Sequence, residues 1–272
     1  MPTLNEEPEQ VNFGKDLGEK LAGSFGAEAA RYDRTRPPYP DELVARIVKA
    51  SPGPRVIDVG CGTGTLSRQL KAAGFEVLGV EHDEHMAEAA RATGITVDVS
   101  KFEAWDPAGR EFDAVVAGQS WHWVDPEQGA RQVARLLRPR GVFVALWHMF
   151  STPDPIAQAL ADAYEEVAPD AKLRVGYSRD EAVSFYRAGC TRTAEAFVNT
   201  GEFSNPDQWS VSWDRSYTTA EYLDLLLTMS PLALLTSDQV TGLLQKVGAA
   251  IDAHGGSFTS NYETVAVAVT RN

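Results

Sequence analysis

The apolar positions of the chain fall into short β-forming runs separated by longer amphipathic stretches. Runs at 55–60, 76–81, 95–99, 112–118 and 141–147 are rich in Val, Ile and Phe, and helical periodicity fills 64–73, 84–93 and 127–138 between them. Strands alternating with helices in this way predict a parallel sheet wound with helices on both faces. Upstream, a helical stretch at 22–31 precedes the Arg-Pro-Pro-Tyr-Pro loop at 36–40, and Pro40 with Asp41 opens a helix that reaches Lys49. Downstream, apolar segments at 155–188 and 206–253 read as helices carrying Trp209, Trp213, Tyr217, Tyr222 and the run 225–227. Packing is their simplest role. Above the carboxyl ends of the strands they could also roof a ligand pocket. The expected organisation is a mobile polar lead-in over 1–20, a core over 21–150, and a region of cap helices and final strands over 151–272.

The first run, Arg-Val-Ile-Asp-Val, carries Asp58 and passes into Gly60, Gly62 and Gly64, with Cys61 inside the glycine series. Glycines there supply positive φ angles and let a ligand lie against bare backbone, and the helix that follows offers unpaired N–H groups. The next strand ends at Glu81, about 20 residues past the turn, where a βαβ unit reaches a ribose whose hydroxyls a carboxylate can accept. A dinucleotide site wants its third glycine one position later, where this chain has Thr65, and would set Asp58 against an anionic diphosphate. S-adenosylmethionine carries no phosphate, and its sulfonium and ammonium favour nearby acid. A lone glycine triplet would read as a structural turn. Here strand, acid, glycines, helix, strand and second acid stand in register and favour the sulfonium ligand.

The sequence Val-Ile-Asp-Val-Gly-Cys-Gly-Thr-Gly at 56–64 resembles the first motif of class I S-adenosylmethionine-dependent methyltransferases. Three further stretches resemble the branch that methylates small molecules, related to the quinone-biosynthesis and trans-aconitate enzymes. These are Tyr-Asp-Arg-Thr-Arg-Pro-Pro-Tyr at 32–39, Gln-Ser-Trp-His-Trp-Val-Asp-Pro at 119–126 and Leu-Leu-Arg-Pro-Arg-Gly at 136–141. The likeness covers residues 25–150 well and the remainder loosely. It implies a Rossmann-like, doubly wound α/β sheet of seven strands, mostly parallel with one antiparallel strand, plus a helical cap. The stretches near 193–198 and 264–270 would then be the last strands. Arg140 departs from the family, which usually has glycine in the turn before the fifth strand; this should alter the turn and not the chemistry.

The resemblance also implies a cofactor site. Gly60, Cys61, Gly62 and Gly64 would bring backbone against the methionine half, and Asp58 would orient the turn or meet the ammonium. Glu81 would take the ribose, and His82 and Met86 would flank the adenine. Phe102 would stack on the other side of the adenine or belong to the core. Tyr32 and Arg36 would close over the methionine carboxylate, an anion that a guanidinium suits, although Arg36 on its own also reads as a solvated loop charge. Gln119, at the end of the fourth strand, can hydrogen-bond the methionine carboxyl or a substrate. Trp121, His122 and Trp123 then read as a pocket wall, and Trp147 and His148 follow the fifth strand into the same space. His122 or His148 has the pKa of a useful base if the acceptor needs one, and a buried structural histidine is the alternative for His122.

Composition narrows the partners. The 272 residues are 43% hydrophobic and 23% charged, enough for a full α/β domain and a cap, and the net charge of −13 offers no basic face to nucleic acid or anionic membrane. Residues 1–20 are polar and acidic, unlike a signal peptide or membrane anchor. Cys61 and Cys190 give neither a disulfide framework nor metal spacing, which fits a reducing cytoplasm. The cluster Glu81-His82-Asp83-Glu84-His85 invites a metal, but it straddles a strand-to-helix junction and Glu81 is committed to the ribose, so no metal is expected. The expected activity is methyl transfer from S-adenosylmethionine to a small, apolar or aromatic metabolite, by a monomer or homodimer. An NAD-dependent oxidoreductase and a noncatalytic S-adenosylmethionine-binding protein are the alternatives.

Overall fold

The computed structural model describes residues 29–170, 175 and 179–272. The lead-in expected over 1–20, and most of the helix expected at 22–31, lie outside them. Seven strands form one sheet: β1 (Arg55–Val59), β2 (Glu76–Glu81), β3 (Thr96–Val99), β4 (Phe112–Gly118), β5 (Leu137–Ser151), β6 (Asp207–Thr218) and β7 (Ser257–Thr270). Their order is β3-β2-β1-β4-β5-β7-β6, and β7 runs antiparallel to both of its neighbours. The strand order reverses between β1 and β4, which is where open α/β sheets form a crevice beyond the carboxyl ends of their strands.

Both faces of the central strands are covered, so β1 and β4 are nearly uniformly buried rather than alternating. On one face α2 (Asp41–Ala50) and α3 (Thr65–Ala72) set Leu43, Ile47, Leu66 and Leu70 against Val56, Val116 and Val144. On the other, α5 (Pro126–Leu136) and α7 (Arg179–Thr200) pack Val133, Leu136 and Phe197 onto Phe143 and Trp121. Between α3 and α5 in the chain, α4 (Glu84–Ala92) covers β2 and β3 through Ala87 and Ala90, capped by the Asp83 carboxylate on the Met86 amide. A third core joins α6 (Asp154–Val167), α8 (Thr219–Leu226) and α9 (Ser237–Ala253) to the ends of β6 and β7. Short α1 (Ala29–Thr35) spans the gap: Asp33 binds Thr63 and Arg68 at the glycine turn, while Arg31 and Arg34 bind Asp224 of α8.

Two expectations for the late chain are overturned. Residues 193–198, expected as a strand, are the last turns of α7, where Ala196 and Phe197 share the core-facing side. Residues 207–218, expected as helix, are β6. Trp209, Val211, Trp213, Arg215 and Tyr217 alternate with Gln208, Ser210, Ser212, Asp214 and Ser216, the period-2 pattern of a strand with one face packed and one in solvent. β5 and β7 also run well beyond the expected 141–147 and 264–270, as a long antiparallel pair reaching Ser151 and Asn261.

Arg140 sits at the start of the β5 crossing with φ of 68°, a left-handed conformation that glycine adopts freely, while its amide binds the Arg271 carbonyl at 3.0 Å. Replacing it by glycine removes a left-handed strain of ~1–2 kcal/mol, which exceeds the ~0.4–1 kcal/mol that the added unfolded-state entropy takes back. Arg140→Gly is therefore expected to raise unfolding free energy by ~0.5–1 kcal/mol in urea titrations; a loss of stability would contradict a strained turn.

Candidate active site

β1 places Asp58 at the centre of the sheet, 1% exposed, and the turn that follows decides what lies above it. Gly60 has φ of 61°, and a Cβ there would lie 2.6 Å from that of Ser120, whose hydroxyl donates to the Val59 carbonyl. Gly62, at φ 54°, has no protein atom within 4 Å of its would-be Cβ. The backbone there is bare and open, as close approach to a ligand requires. Cys61 turns inward beside Gly79, where burial pushes its thiol up and away from reactivity. Gly64 caps α3.

Asp58 has two different oxygens. Oδ2 accepts the Ser67 hydroxyl at 2.6 Å, and Oδ1 is buried with no partner. Burial raises its carboxyl from 3.8 to about 7; the Ser67 bond opposes the rise and the nearby Glu81 charge adds to it. Glu81 has the contrary environment. Its Oε1 accepts the His82 and Asp83 amides at 2.8 and 3.0 Å and lies 2.9 Å from His82 Nδ1, while Oε2 accepts the Gly62 amide at 2.8 Å. Burial pushes Glu81 up, but the His82 ring and the Asp83 and Gly62 amides more than offset it and hold its carboxyl low. The same contact raises His82. Glu81 thus ties the end of β2 to the glycine turn, and Oε2, with one bond, retains capacity for a further donor.

A hollow of ≈ 690 Å³, its open mouth included, lies over Asp58, Gly60 and Gly62 at the order reversal. Arg36 faces it from the loop after α1, its guanidinium 4.6 Å from the Tyr32 ring centre and its Nη2 donating to the Thr228 carbonyl at 2.7 Å. Its buried Nε has no partner, and Arg36 forms no ion pair among the described residues. Gln119 directly follows β4 with φ of 55°, an uncommon conformation for a residue with a Cβ, and its amide side chain reaches the His148 carbonyl at 3.4 Å. His148 lines the hollow from β5, stacked on Tyr39 with ring centres 4.6 Å apart. An acid with one open oxygen and a guanidinium with one open N–H therefore share one cavity.

The structure separates the remaining candidates. Glu81, His82, Met86 and Phe102 lie outside the hollow's lining, on the β2–β3 side of the glycine turn. Met86 is buried under α4, and Phe102 packs against Trp121 in the core. Trp121 and Trp147, read from sequence as substrate walls, belong instead to the core on the face opposite the hollow, Trp121 between Phe143 and Phe197. The reason for Trp147 is strand alternation: Leu146 and His148 point to the α2 side, so Trp147 points away. His122 is exposed against the half-buried Trp123, and neither lines the hollow. Sequence reasoning missed Tyr39, Phe150, Leu225 and Tyr262, all of which do. Tyr39 stood within the Arg-Pro-Pro-Tyr loop; Tyr262 arrives on a strand more than 100 positions later and carried no local signal.

Residues 56–141 match the model of a methyltransferase domain. The chain is 28% identical over 254 residues to an uncharacterized methyltransferase of Mycobacterium tuberculosis, covering 91% of this chain and 95% of that one. It is 34% identical over 188 residues, 66% of each chain, to the trans-aconitate 2-methyltransferase of the same species. Among solved structures, a protein of Anaeromyxobacter dehalogenans assigned as a type II methyltransferase shares the fold with a TM-score of 0.60 at 21% identity, covering 86% of this chain and 97% of that one.

The Asp58 environment makes stability depend on pH. Its folded pKa lies above its unfolded value, so its contribution is fully present below about pH 4 and is lost as pH rises through 7, where a buried anion remains. Asp58→Asn keeps the Ser67 bond and removes the charge. The stability difference between variant and wild type should move in the variant's favour by ~1–3 kcal/mol from pH 5 to pH 8. Urea unfolding at both pH values checks this; a difference independent of pH would mean that Asp58 is not held as described.

Proposed function

The chain belongs to the class I S-adenosylmethionine-dependent methyltransferases, and from that premise we propose that it uses the hollow above Asp58 to transfer a methyl group from S-adenosylmethionine to a small, largely apolar or aromatic acceptor. The observation that carries this reading is the pair of unmet groups in one cavity. Asp58 Oδ1 is an anion without a donor, and Arg36 Nε is a cationic N–H without an acceptor. Together they complement the ammonium and carboxylate of an amino acid, which is what the methionine end of the cofactor presents. The open face of Gly62 would admit the chain between these ends, and Glu81 Oε2 would accept a ribose hydroxyl beyond the hollow.

Bound there, the cofactor supplies a methyl on a cationic sulfur, which an acceptor atom displaces in line. The protein's own part is alignment and exclusion of water. Tyr39, Phe150, Leu225 and Tyr262 would give the acceptor an apolar enclosure, and α1 with α8 would close it. The trans-aconitate relative acts on a small molecule by its name, which agrees with a hollow sunk into the end of the sheet. An NAD-dependent oxidoreductase is disfavoured, because the buried Asp58 carboxylate would face a diphosphate.

Isothermal calorimetry tests the cofactor. S-adenosylhomocysteine should bind the wild type, and NAD should bind more weakly or not at all. Arg36→Met and Glu81→Ala should each weaken S-adenosylhomocysteine by ~10-fold or more, the usual loss for a charge-assisted hydrogen bond. Affinity should also rise from pH 6 to pH 8, because ligand ammonium favours ionised Asp58 and the free carboxyl titrates near 7. Tighter binding of NAD, or full S-adenosylhomocysteine affinity in both variants, would remove the reading.

A further inference from the structure

His148 and Thr264 face each other directly across β5 and β7, and His148 Nδ1 lies 2.8 Å from Thr264 Oγ1. The same oxygen accepts the indole N–H of Trp213, from β6, at 2.8 Å. Thr264 is fully buried, so its own proton needs an acceptor, and His148 Nδ1 is the one within reach. An indole nitrogen can only donate, so the direction of the chain is fixed: Trp213 donates to Thr264, and Thr264 donates to His148. The reverse tautomer would leave the threonine proton unmet in a buried site, and this one satisfies it. The ring therefore carries its own proton on Nε2, which is buried without a hydrogen-bond partner on a residue that lines the hollow and lies under the influence of the Pro37 carbonyl.

We propose that His148 serves this site as a neutral hydrogen-bond donor and not as a base, that Thr264 and Trp213 are the positioning residues that fix its tautomer, and that the acceptor it holds enters as an oxyanion, a carboxylate or phenolate. This rests on the methyltransferase reading above for the identity of the ligand, but the tautomer does not. The ring is enclosed by Tyr39 before α2, Trp213 on β6 and Tyr262 on β7, and the charged groups acting on it are Arg36 and Arg215, both cations. Burial first, then these cations, push the imidazole down to about 3, against the weaker pull of the Pro37 carbonyl, so protonation to imidazolium is closed to it at neutral pH. Burial also raises Tyr39 and Tyr262, which leaves them as neutral hydroxyls. Neither His148 nor these two tyrosines can take a proton from an acceptor, whereas an oxyanion needs none taken. Its lone pair forms the O–C bond as the C–S pair returns to sulfur, and the acceptor and sulfonium charges cancel. Nε2–H would orient that oxygen.

Nitrogen-15 spectra of histidine-labelled full-length protein test this, with the His148 signals assigned by their loss in His148→Gln. The expected pattern is protonated Nε2 and bare Nδ1, constant from about pH 5.5 to 8 where an ordinary imidazole would titrate. Thr264→Val should lose the fixed pattern and show both tautomers. Benzoate added to protein saturated with S-adenosylhomocysteine should shift the Nε2 signal, and benzyl alcohol at equal concentration should not. A proton on Nδ1, titration near 6.5, or equal response to the two probes overturns the proposal. Failure of S-adenosylhomocysteine to bind at all would instead overturn the cofactor reading, while the tautomer in the free protein would stand or fall separately.

Discussion

A carboxylate buried at the middle of a parallel sheet, satisfied on one oxygen and open on the other, is the constraint around which the site is arranged. Asp58 occupies that position, and the cost of keeping it there is visible in its raised pKa. The surroundings divide the labour of holding it. Ser67, in the first turn of α3, fixes Oδ2 and leaves Oδ1 without a partner. Gly60 and Gly62 keep the backbone beyond it thin enough for the cavity to exist. A second acid, Glu81, adds repulsion to Asp58 but is itself stabilised by three backbone amides and the His82 ring. Two carboxylates a few residues apart in space thus have opposite tendencies: one is ready to be neutralised by a cationic ligand, and the other is firmly ionised.

The cavity is closed by elements from distant parts of the chain. Arg36 and Tyr39 come from the loop before α2, Gln119 from just after β4, His148 and Phe150 from β5, Leu225 from α8 and Tyr262 from β7. The long antiparallel β5–β7–β6 edge does more than finish the sheet. It sets His148 on the cavity wall with Thr264 and Trp213 in a hydrogen-bonded row behind it, so that a histidine of that wall becomes a fixed, neutral group. Exposed ion pairs between α1 and Asp224 add little stability singly, but they tie the glycine turn to the cap through one short helix.

The family resemblance pointed to Arg36 and Gln119, which line the hollow; the amino-acid sequence alone determined the doubly wound sheet and the acid-glycine turn with Glu81 in register. Each of these follows from local spacing: apolar periodicity, glycine placement and the length of one βαβ unit are properties of neighbouring residues. It also contained the period-2 alternation of β6, which the density of aromatics in 206–253 obscured. Only the tertiary structure decided that Trp121 and Trp147 fill the core, that His122 faces solvent, and that Tyr262 lines the hollow while Thr264 stands behind His148. The side a strand residue faces depends on sheet register, and register is set by partners as far away as β7. The charge state and tautomer of a buried group depend on desolvation and on hydrogen bonds across strands, and neither is written into the residues beside it.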